Sequence, residues 1–480
     1  MSAKTPIRRL DVRLMAALLG GLLSAACLAE PPATPVPERI VADLATRADP
    51  NQHYSLYLPP NYDARRRWPV LILLDPRGRS EQTLEMARAG AAEHGWILIS
   101  SRQSRSDDEE AITVEALQAL LKETGEHYPY DPKRLYLAGM SGTSKTLWVV
   151  EKQLHGLVAG LIGAAGGRPP ELGRLDKDAP AFYGITANHD FNFQEMHELD
   201  DDLRRNGSPH RLAVFEGGHG WPSADGFSVA IDWLELMAMR SGLVERDEAW
   251  IDRQLAGARA EAEAIRDAAD RWRHLDQLVR DFDGLRDVGA ERRAASALFD
   301  EEGTRALLAQ EKKLRGEEQR YLRTFNAWVT RYNTRVIDGR RQAPPDVERS
   351  LTELRVARLQ AQALDADRRT ADSATRLLQS LYAATASYLP RAQQGNGDLD
   401  RARTALAMAI RISPERPTAH CRLAQIEGLR HSMDAAFAEL AVCLRLGGRD
   451  QENLRNDPEW QPLRGDARWP AMLERAASPP

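Results

Sequence analysis

Short apolar runs alternate with amphipathic stretches between about residues 38 and 243. The runs predict strands at 38–44, 53–59, 69–75, 96–101, 134–139, 157–163, 181–186 and 211–216. The amphipathic stretches predict helices at about 80–93, 109–126, 143–154, 193–206 and 224–241. The middle strands are apolar without alternation, which is typical of strands buried on both faces. This order predicts an α/β domain in which helices flank a mostly parallel sheet.

The pattern changes after about residue 244, where the strand signals stop. Residues 244–390 are strongly charged and carry apolar positions at helical spacing, which predicts long helices. In residues 391–480, three positions recur 34 residues apart: Ala402 and Ala436, Ala409 and Cys443, Ile412 and Leu446. This period resembles the tetratricopeptide repeat, although Pro390 falls inside the helix that would precede the first copy. The resemblance implies two to three degenerate repeats, and a generic helical hairpin is the alternative.

The N-terminus has the pattern of a secretory signal peptide. Four basic residues precede an apolar run that ends in small residues at Ala29. The run is shorter than the roughly 20 residues that a membrane-spanning helix needs. We therefore predict a signal peptide at 1–29, a proline-rich linker at 30–37, and a periplasmic or secreted protein, with a retained membrane anchor as the alternative.

The chain has three cysteines. The run Leu-Ser-Ala-Ala-Cys that ends at Cys27 resembles a bacterial lipobox, although Ser24 stands where a branched aliphatic residue is usual. A lipid anchor at Cys27 is therefore an alternative to simple cleavage. Cys421 and Cys443 could form a disulfide in an oxidising compartment. We favour the other interpretation, two buried thiols in a helical core.

Composition excludes some classes of protein. At 42% hydrophobic and 28% charged residues, the chain can bury a core, and its net charge of −5 gives no basis for nucleic-acid binding. The sequence contains no Cys-x-x-Cys, no His-Glu-x-x-His and no cofactor fingerprint. We therefore expect neither a metal nor a cofactor.

A serine follows the predicted strand at 134–139 almost directly. Arg134 to Gly142 reads Arg-Leu-Tyr-Leu-Ala-Gly-Met-Ser-Gly, and a predicted helix begins at 143. A nucleophilic serine needs a sharp strand-to-helix turn with small neighbours, because the turn is strained and the helix packs close to the strand. The helix N-terminus then favours developing negative charge. Ser141 is therefore the candidate nucleophile, although Thr143 stands where the Gly-x-Ser-x-Gly pattern has its last glycine.

Partners for Ser141 follow in the order serine, acid, histidine. Asp190 comes just beyond the predicted strand at 181–186, and His219 lies in a glycine-rich loop after the strand at 211–216. Three required residue types in the required order, each at the carboxyl end of a predicted strand, are hard to obtain by chance. We therefore predict a catalytic triad of Ser141, Asp190 and His219.

Residues 38–243 resemble the α/β-hydrolase superfamily, and within it the cap-less esterases of the polyhydroxybutyrate-depolymerase and feruloyl-esterase kind. The resemblance is carried by Tyr-Asp-Pro-Lys-Arg-Leu-Tyr-Leu-Ala-Gly-Met-Ser at 130–141, by Asp190, and by Gly-His-Gly-Trp-Pro at 218–222. It implies that Ser141 is the nucleophile, that His219 is the general base and then the acid, and that Asp190 orients the histidine.

The loop after the third strand departs from these relatives, which usually have His-Gly where this chain has Asp-Pro-Arg-Gly at 75–78. This loop supplies one donor of the oxyanion hole, and the residue after the nucleophile supplies the other. We assign the donors to the backbone N–H groups of Gly142 and Arg77, with Gly78 as the alternative to Arg77. Pro76 has no N–H and is excluded.

These features predict a serine esterase that cleaves carboxylic esters. Only about 15 residues, 165–179, separate two strands at the point where this fold commonly carries a lid, so we expect an open site for a bulky or polymer-attached ester. A serine peptidase of the same fold is one alternative. A tetratricopeptide-type scaffold with a vestigial hydrolase domain is another, and a protein partner would then dock on the C-terminal helices.

Overall fold

The computed structural model describes residues 36–106, 110–337 and 340–477. The predicted signal peptide, most of the predicted linker, and Cys27 lie outside the described residues. The chain divides between Ala309 and Gln310 into two compact units. In the part of the chain that the structure describes, no helix combines the length and the apolar character needed to cross a membrane.

An eight-stranded sheet forms the centre of the first unit, with the strand order β1-β2-β4-β3-β5-β6-β7-β8. The strand β2 pairs antiparallel with both β1 and β4, and the other neighbours are parallel. The predicted α/β fold with a mostly parallel sheet is therefore confirmed. The strands are β1 Ile40–Ala45, β2 His53–Tyr57, β3 Trp68–Leu74, β4 Ile97–Ser101, β5 Tyr130–Met140, β6 Gly160–Ala164, β7 Ala181–Ala187 and β8 His210–Phe215.

Helices connect the parallel strands, close to the predicted positions. They are α1 Ser80–His94, α2 Glu110–His127, α3 Gly142–Gln153, α4 Phe193–Asn206 and α5 Ala224–Ser241. One strand is longer than predicted: β5 begins at Tyr130, which pairs with Trp68 beyond a register shift in the β3–β5 ladder. Four residues before the apolar run therefore join the sheet.

Alternate residues of the central strands feed two separate cores. On β3, Val70, Ile72 and Leu74 pack in a cluster that includes residues of α2, α3 and α4. Leu71 and Leu73 belong to the opposite cluster, with residues of α1 and α5. Because a strand turns successive side chains to opposite faces, a strand covered on both faces must be apolar at every position. This requirement explains the uninterrupted apolar runs of the sequence.

Three further helices complete the first unit: α6 Glu248–Ala264, α7 Ala268–Phe282 and α8 Gly289–Asp300. Trp250, Ile251 and Phe282 from these helices are buried in the same cluster as α1 and α5. The division of the chain at 309/310 therefore differs from the sequence-based boundary at 243/244. The physical reason is that an amphipathic helix has the same pattern whether it packs on a sheet or on other helices.

The second unit is almost entirely helical. Its first helix, α9 Glu302–Asn333, contains the division point, and a short hairpin of β9 Val336–Ile337 and β10 Arg340–Arg341 follows. The remaining helices are α10 Val347–Glu353, α11 Val356–Gln362, α12 Arg368–Ala383, α13 Leu389–Gly395, α14 Leu399–Ile412, α15 Pro417–Leu429, α16 Met433–Arg445, α17 Gln451–Asn456, α18 Gln461–Arg464 and α19 Trp469–Ala477. A π-helical segment, Ala384–Tyr388, joins α12 to α13, and Pro390 stands in the first turn of α13.

A buried arginine holds the hairpin region of the second unit. Arg401 is 1% exposed and donates hydrogen bonds to the backbone carbonyls of Tyr332, Thr334 and Gln342. It also forms an ion pair with Asp398 at 3.2 Å. A guanidinium can donate several hydrogen bonds at once, so one side chain satisfies carbonyls on both sides of the hairpin.

The repeat positions on α14 and α16 are core positions. Ala402, Ala436, Ala409 and Cys443 are all fully buried, as close helix packing requires. The structure thus contains consecutive packed helices where the repeat was expected, and their tetratricopeptide character stays a prediction. Cys443 on α16 forms a disulfide with Cys421 on α15. Our preference for two buried thiols was therefore wrong, because only the packing of α15 against α16 brings the two sulfur atoms together.

We predict that reduction of the Cys421–Cys443 disulfide destabilises this helical pair by about 2–4 kcal/mol, because the bond restricts the unfolded chain. The measurement is hydrogen–deuterium exchange of the α15 and α16 amides in the full chain, with and without a reducing agent. A Cys421→Ala/Cys443→Ala double variant serves as the control, since its exchange should not respond to the reductant. Equal protection of the oxidised and reduced wild type would contradict the prediction.

Candidate active site

The candidate residues come together because β5, β6, β7 and β8 are neighbours and parallel. Ser141 follows β5, Asp190 follows β7, and His219 follows β8. The carboxyl ends of parallel strands lie at one edge of a sheet, and strands are spaced about 4.8 Å apart. All three residues therefore lie at the same edge, which is where open α/β sheets bind their ligands.

The backbone at Ser141 is strained. Its φ is 57° and its ψ is −125°, a conformation that a residue with a Cβ rarely adopts, and it separates β5 directly from α3. Such a conformation costs on the order of 1–3 kcal/mol and persists only where the surroundings hold it. The Ser141 N–H donates to the carbonyl of Ala164 at the end of β6, with a length of 2.7 Å. The turn is thus fixed to the neighbouring strand.

Two glycines allow the tight approach of chain segments around this turn. A Cβ on Gly139 would lie 2.8 Å from the backbone of Thr143 and Ser144 at the start of α3. A Cβ on Gly166 would lie 2.2 Å from the carbonyl oxygen of Ser141. Both distances are shorter than real Cβ contacts, so neither position accepts a side chain without moving the backbone of the turn.

Thr143 stands at the position where the nucleophile pattern usually has glycine, and its hydroxyl takes part in the turn. Its one proton is shared between the carbonyls of Leu74 and Met140, at 2.6 and 2.8 Å, and its oxygen accepts from the N–H of Met140 at 2.9 Å. The residue is fully buried. Thr143 therefore ties the turn to the end of β3, and the departure from the pattern is compatible with the geometry.

His219 and Asp190 form a hydrogen-bonded pair. The Nδ1 atom of His219 lies 3.0 Å from Oδ1 of Asp190, which is fully buried. The same oxygen accepts from the N–H of Asn192 at 2.7 Å, so the carboxylate is fixed by its own turn. A carboxylate is an acceptor only, and we therefore assign the proton to Nδ1 of the histidine. The Nε2 atom is then left as an acceptor.

Backbone and side-chain contacts hold the histidine loop against the loop of Asp190. Asn188 accepts from the N–H of Gly217 at 2.9 Å, and the N–H of His189 donates to the carbonyl of Gly217 at 3.0 Å. The ring of Phe191 stacks on His219 with a centroid distance of 4.1 Å. The imidazole is therefore fixed by a ring contact as well as by the carboxylate.

The structure does not join Ser141 to the pair directly. Within the described residues, the Ser141 hydroxyl makes no hydrogen bond with His219. Ser141 is half-buried, and the His219 side chain is 20% exposed, so both are accessible at the edge. Catalytic hydrogen bonds are often long without substrate and tighten when it binds.

The two predicted oxyanion donors have different surroundings. In the part of the chain that is described, the N–H of Gly142 has no acceptor, as expected for the first residue of a helix. The N–H of Arg77 donates to Oδ1 of Asp75 at 2.8 Å, and the N–H of Gly78 donates to the carbonyl of Asp75 at 3.1 Å. Both N–H groups of this loop therefore have acceptors within the loop, and the assignment of Arg77, with Gly78 as the alternative, stays a prediction.

Asp75 is the residue beside the site that sequence reasoning missed. Its carboxylate is 1% exposed and accepts from the guanidinium of Arg79, the N–H of Arg77 and the indole of Trp221, the last at 2.9 Å. Burial opposes ionisation, but these hydrogen bonds outweigh it and lower the pKa of Asp75. The carboxylate thus links the loop after β3 to the histidine loop. The sequence did contain a signal for Asp75, an acidic residue directly after a predicted buried strand.

The connection between β6 and β7 is short, as predicted. It contains a single turn of 3₁₀-helix, Pro170–Leu172, and Arg168 in this segment donates to the carbonyls of Leu172 and Gly173. Gly167 donates its N–H to Glu195, which also pairs with Lys145 at 2.8 Å. These contacts fix the connection to its own turn and to α4.

One group among the described residues has the donor atoms for a metal: Glu93, His94 and Asp232, whose ligand atoms lie within 4.8 Å of one another. His94 and Asp232 are 2.6 Å apart. Burial disfavours the charged imidazole, but the hydrogen bond to Asp232 and the charge of Glu235 outweigh this effect and raise the pKa of His94. The arrangement therefore favours an ion pair between α1 and α5.

No protein-family model matches the chain, and no curated protein matches it. Among solved structures, a fluorophosphonate-binding serine hydrolase of Staphylococcus aureus is similar over 42% of this chain and 99% of its own, with 13% identity and a TM-score of 0.35. An esterase of the archaeon Pyrobaculum calidifontis is similar over 42% of this chain and 87% of its own, with 14% identity and a TM-score of 0.35. Porphyromonas gingivalis dipeptidyl peptidase 4 is similar over 40% of this chain and 35% of its own, with 14% identity and a TM-score of 0.31. These likenesses are distant and concern less than half of the chain.

Proposed function

We propose that the chain is a serine hydrolase that cleaves carboxylic esters, with Ser141 as nucleophile, His219 as general base and acid, and Asp190 as the residue that orients the histidine. The observation that carries the proposal is the strained backbone of Ser141 between a parallel strand and a helix, at the same edge as the His219–Asp190 pair. A strained conformation is retained where function needs it, and this one presents a serine hydroxyl at the start of a helix.

The reaction has two halves. In the first half, the Ser141 oxygen attacks the ester carbonyl while Nε2 of His219 takes the hydroxyl proton, and the alcohol leaves with that proton. In the second half, His219 takes a proton from water, the hydroxide attacks the acyl-enzyme, and the acid is released as Ser141 regains its proton. The N–H of Gly142 donates to the oxyanion of each tetrahedral intermediate.

An accessible edge favours an ester with a bulky or polymeric part. The His219 side chain is partly exposed, and the β6–β7 connection is held against α4 by the Gly167–Glu195 hydrogen bond. Such an edge suits a substrate whose far end stays in solvent. A peptidase with the same residues, and a scaffold that acts through its C-terminal helices, are the outcomes against which this proposal is tested.

We also propose that the chain is exported to the periplasm or beyond. A lipid anchor at Cys27 is the alternative to simple cleavage of the signal peptide. The disulfide between Cys421 and Cys443 supports export, since such bonds persist in oxidising compartments. The α14–α16 helices are the proposed docking region for a protein partner.

Replacement of Ser141 by alanine is expected to abolish hydrolysis of p-nitrophenyl esters. We expect kcat to fall by at least about 10³-fold, because a triad without its nucleophile keeps only the residual catalysis of binding and oxyanion stabilisation. The assay uses short and medium acyl chains, and residues 30–480 as the protein. Ser241→Ala is the matched control, since Ser241 ends α5 about 26 Å along the helix from its start.

The same assay separates a triad from three independent roles. If the residues act together, Asp190→Asn in the Ser141→Ala background produces little further loss, since the effects within a triad are not additive. Equal activity of wild type and Ser141→Ala would overturn the proposed nucleophile. Activity on peptide substrates alone would establish the peptidase, and no activity on either would leave binding by residues 310–480 as the function.

We predict that Asp75→Asn destabilises the protein by about 2–3 kcal/mol at neutral pH, because hydrogen bonds to a buried charge are lost. Since the pKa of Asp75 is lowered on folding, its stabilising effect is present above the ordinary aspartate pKa and disappears as the pH falls through the lowered value. Urea unfolding of wild type and variant at neutral and acidic pH measures this difference. If the difference in unfolding free energy between wild type and variant grew towards acidic pH, the predicted direction of the pH dependence would be wrong.

The same variant is expected to lower kcat for ester hydrolysis by about 10- to 100-fold, since displacements near 1 Å reduce catalysis by this factor. Trp221→Phe is the companion variant, because it keeps an aromatic side chain but removes the indole N–H that donates to Asp75. We expect it to show a smaller loss of the same kind. Unchanged kcat in Asp75→Asn would mean that this carboxylate serves stability alone.

Export is checked by the mass of the mature N-terminus after expression in a bacterium with a periplasm. A first residue at Glu30 indicates cleavage by the ordinary signal peptidase, and a mass increase from acyl chains on Cys27 indicates the lipoprotein. Recovery of the uncleaved chain from the cytoplasm would contradict export. A Cys27→Ala variant is the control for lipidation, since it should yield only the unmodified form.

A further inference from the structure

Phe191, the residue directly after Asp190, covers one face of the His219 ring. The two ring centroids are 4.1 Å apart and the ring planes are inclined by only 26°, so the rings are stacked. The carboxylate of Asp190 reaches the edge of the same imidazole, with 3.0 Å between Oδ1 and Nδ1. Two adjacent residues therefore contact His219 in different ways, one at its edge and one at its face.

A hydrogen-bonded turn holds Phe191 in this place. The N–H of Asp190 donates to the carbonyl of Ala187 at 3.0 Å, and the N–H of Asn192 donates to the carboxylate of Asp190 at 2.7 Å. The side chain of Asn192 also donates to the carbonyl of Ala165, after β6, at 2.8 Å. Because both neighbours of Phe191 are bonded, the same rigid segment positions the carboxylate and the aromatic ring.

The charge of His219 changes during the proposed reaction. The neutral imidazole takes the proton of Ser141 and is a cation while each tetrahedral intermediate exists. The face of an aromatic ring has a negative potential, and it attracts a cation that lies within about 6 Å of the ring centroid. A neutral imidazole gains much less from this potential. Interactions that are stronger in the transition state than in the ground state are those that accelerate a reaction, and the contact with Phe191 is of this kind.

The other charged groups near the histidine loop have their own partners. Among the described residues, Asp190 is the charged group that contacts the imidazole of His219. The carboxylate of Glu216, in the same loop, accepts from the side chain of Asn188 at 2.8 Å. The carboxylate of Asp75 accepts from an indole and a guanidinium. The ring face of Phe191 thus adds a second attraction to the one that Asp190 supplies.

We propose that Phe191 is a positioning residue that acts through His219: its ring stabilises the protonated imidazole by a cation–π contact and so accelerates both halves of the reaction. The inference rests on the proposed hydrolase function and assigns part of the stabilisation of its transition state to a residue outside the triad. The stacked arrangement is specific to this pair, since the neighbouring rings of Phe193 and His197 are tilted by 51°.

The test is Phe191→pentafluorophenylalanine in the protein that is used for the esterase assay. The fluorine atoms reverse the potential of the ring face, whereas the ring stays close to its natural size and shape. We expect kcat/KM for p-nitrophenyl esters to fall by about 3- to 30-fold, the range that cation–π contacts give. The pH at which kcat/KM is half-maximal should also fall, because a less stable imidazolium loses its proton at a lower pH.

Two further variants and a control separate charge from packing. Phe191→Tyr keeps an aromatic face and should retain most of the wild-type activity, whereas Phe191→Leu should behave like the fluorinated ring. Phe193→pentafluorophenylalanine is the matched control, because the Phe193 ring contacts His197, at 4.2 Å between centroids. It should leave kcat/KM and its pH profile unchanged.

An NMR titration of the His219 ring in the same proteins needs no turnover and therefore separates this inference from the hydrolase proposal. We expect the ring to be half-protonated at a pH about half a unit to one unit lower when position 191 is fluorinated. The inference is overturned if this pH does not change, even where the rate falls, since the ring would then act through packing alone. A shifted titration together with full activity of Ser141→Ala would reject the proposed nucleophile and leave the cation–π contact established.

Discussion

The positive-φ turn at Ser141 is the constraint on which the rest of the candidate active site depends. The free-energy cost of this strained backbone must be offset by segments that are held in place, and β5 is such a segment. Leu135 and Leu137 of this strand are buried in one core, and Ala138 and Met140 in the other. A strand held on both faces cannot shift to relax the turn that follows it. A second residue beside the turn, Ala165 after β6, also has a positive φ of 53°.

The neighbours of that turn follow from the same constraint. Gly166 is small because its Cβ would meet the Ser141 carbonyl, and the N–H of Ser141 is held by Ala164 one strand away. The end of β6 therefore determines where the serine stands, although β6 contributes no candidate side chain. The loop of Asp190 and the loop of His219 are then joined to each other through Asn188 and Gly217. Backbone contacts position the loops of the site, and the candidate side chains then lie where these contacts place them.

The buried carboxylate of Asp75 is a second group that fixes the loops beside the candidate active site, because it takes hydrogen bonds from several neighbouring donors. An ionised carboxylate buried at the end of β3 needs donors, and the nearest are Arg79, Trp221 and the N–H of Arg77. The N–H of Arg77, a predicted oxyanion donor, is therefore hydrogen-bonded to this carboxylate. Asp75 thus makes the loop after β3 rigid through contacts with its own backbone and with Trp221.

Local pattern was sufficient to predict the sheet, because buried parallel strands and amphipathic helices differ in period. It was also sufficient to predict which residues follow β5, β7 and β8, since only residue type and order were needed. Local pattern was not sufficient where the outcome depends on which residues meet in the folded chain. Cys421 and Cys443 meet through helix packing, and α6 and α7 bury residues in the same core as α1 and α5 although their sequence pattern matches that of the later helices.

The arginines at the amino end of β8 also have a reason inherent in the fold. A helix end attracts cations to its last turn because its free carbonyls carry partial negative charge. Arg204, Arg240 and Arg280 lie in the last turns of α4, α5 and α7, and all three line a cavity at the amino end of β8. Each arginine is favourable at its own helix, but together they repel. Asp276, which lies 3.0 Å from Arg204 and 3.5 Å from Arg280, offsets part of this repulsion.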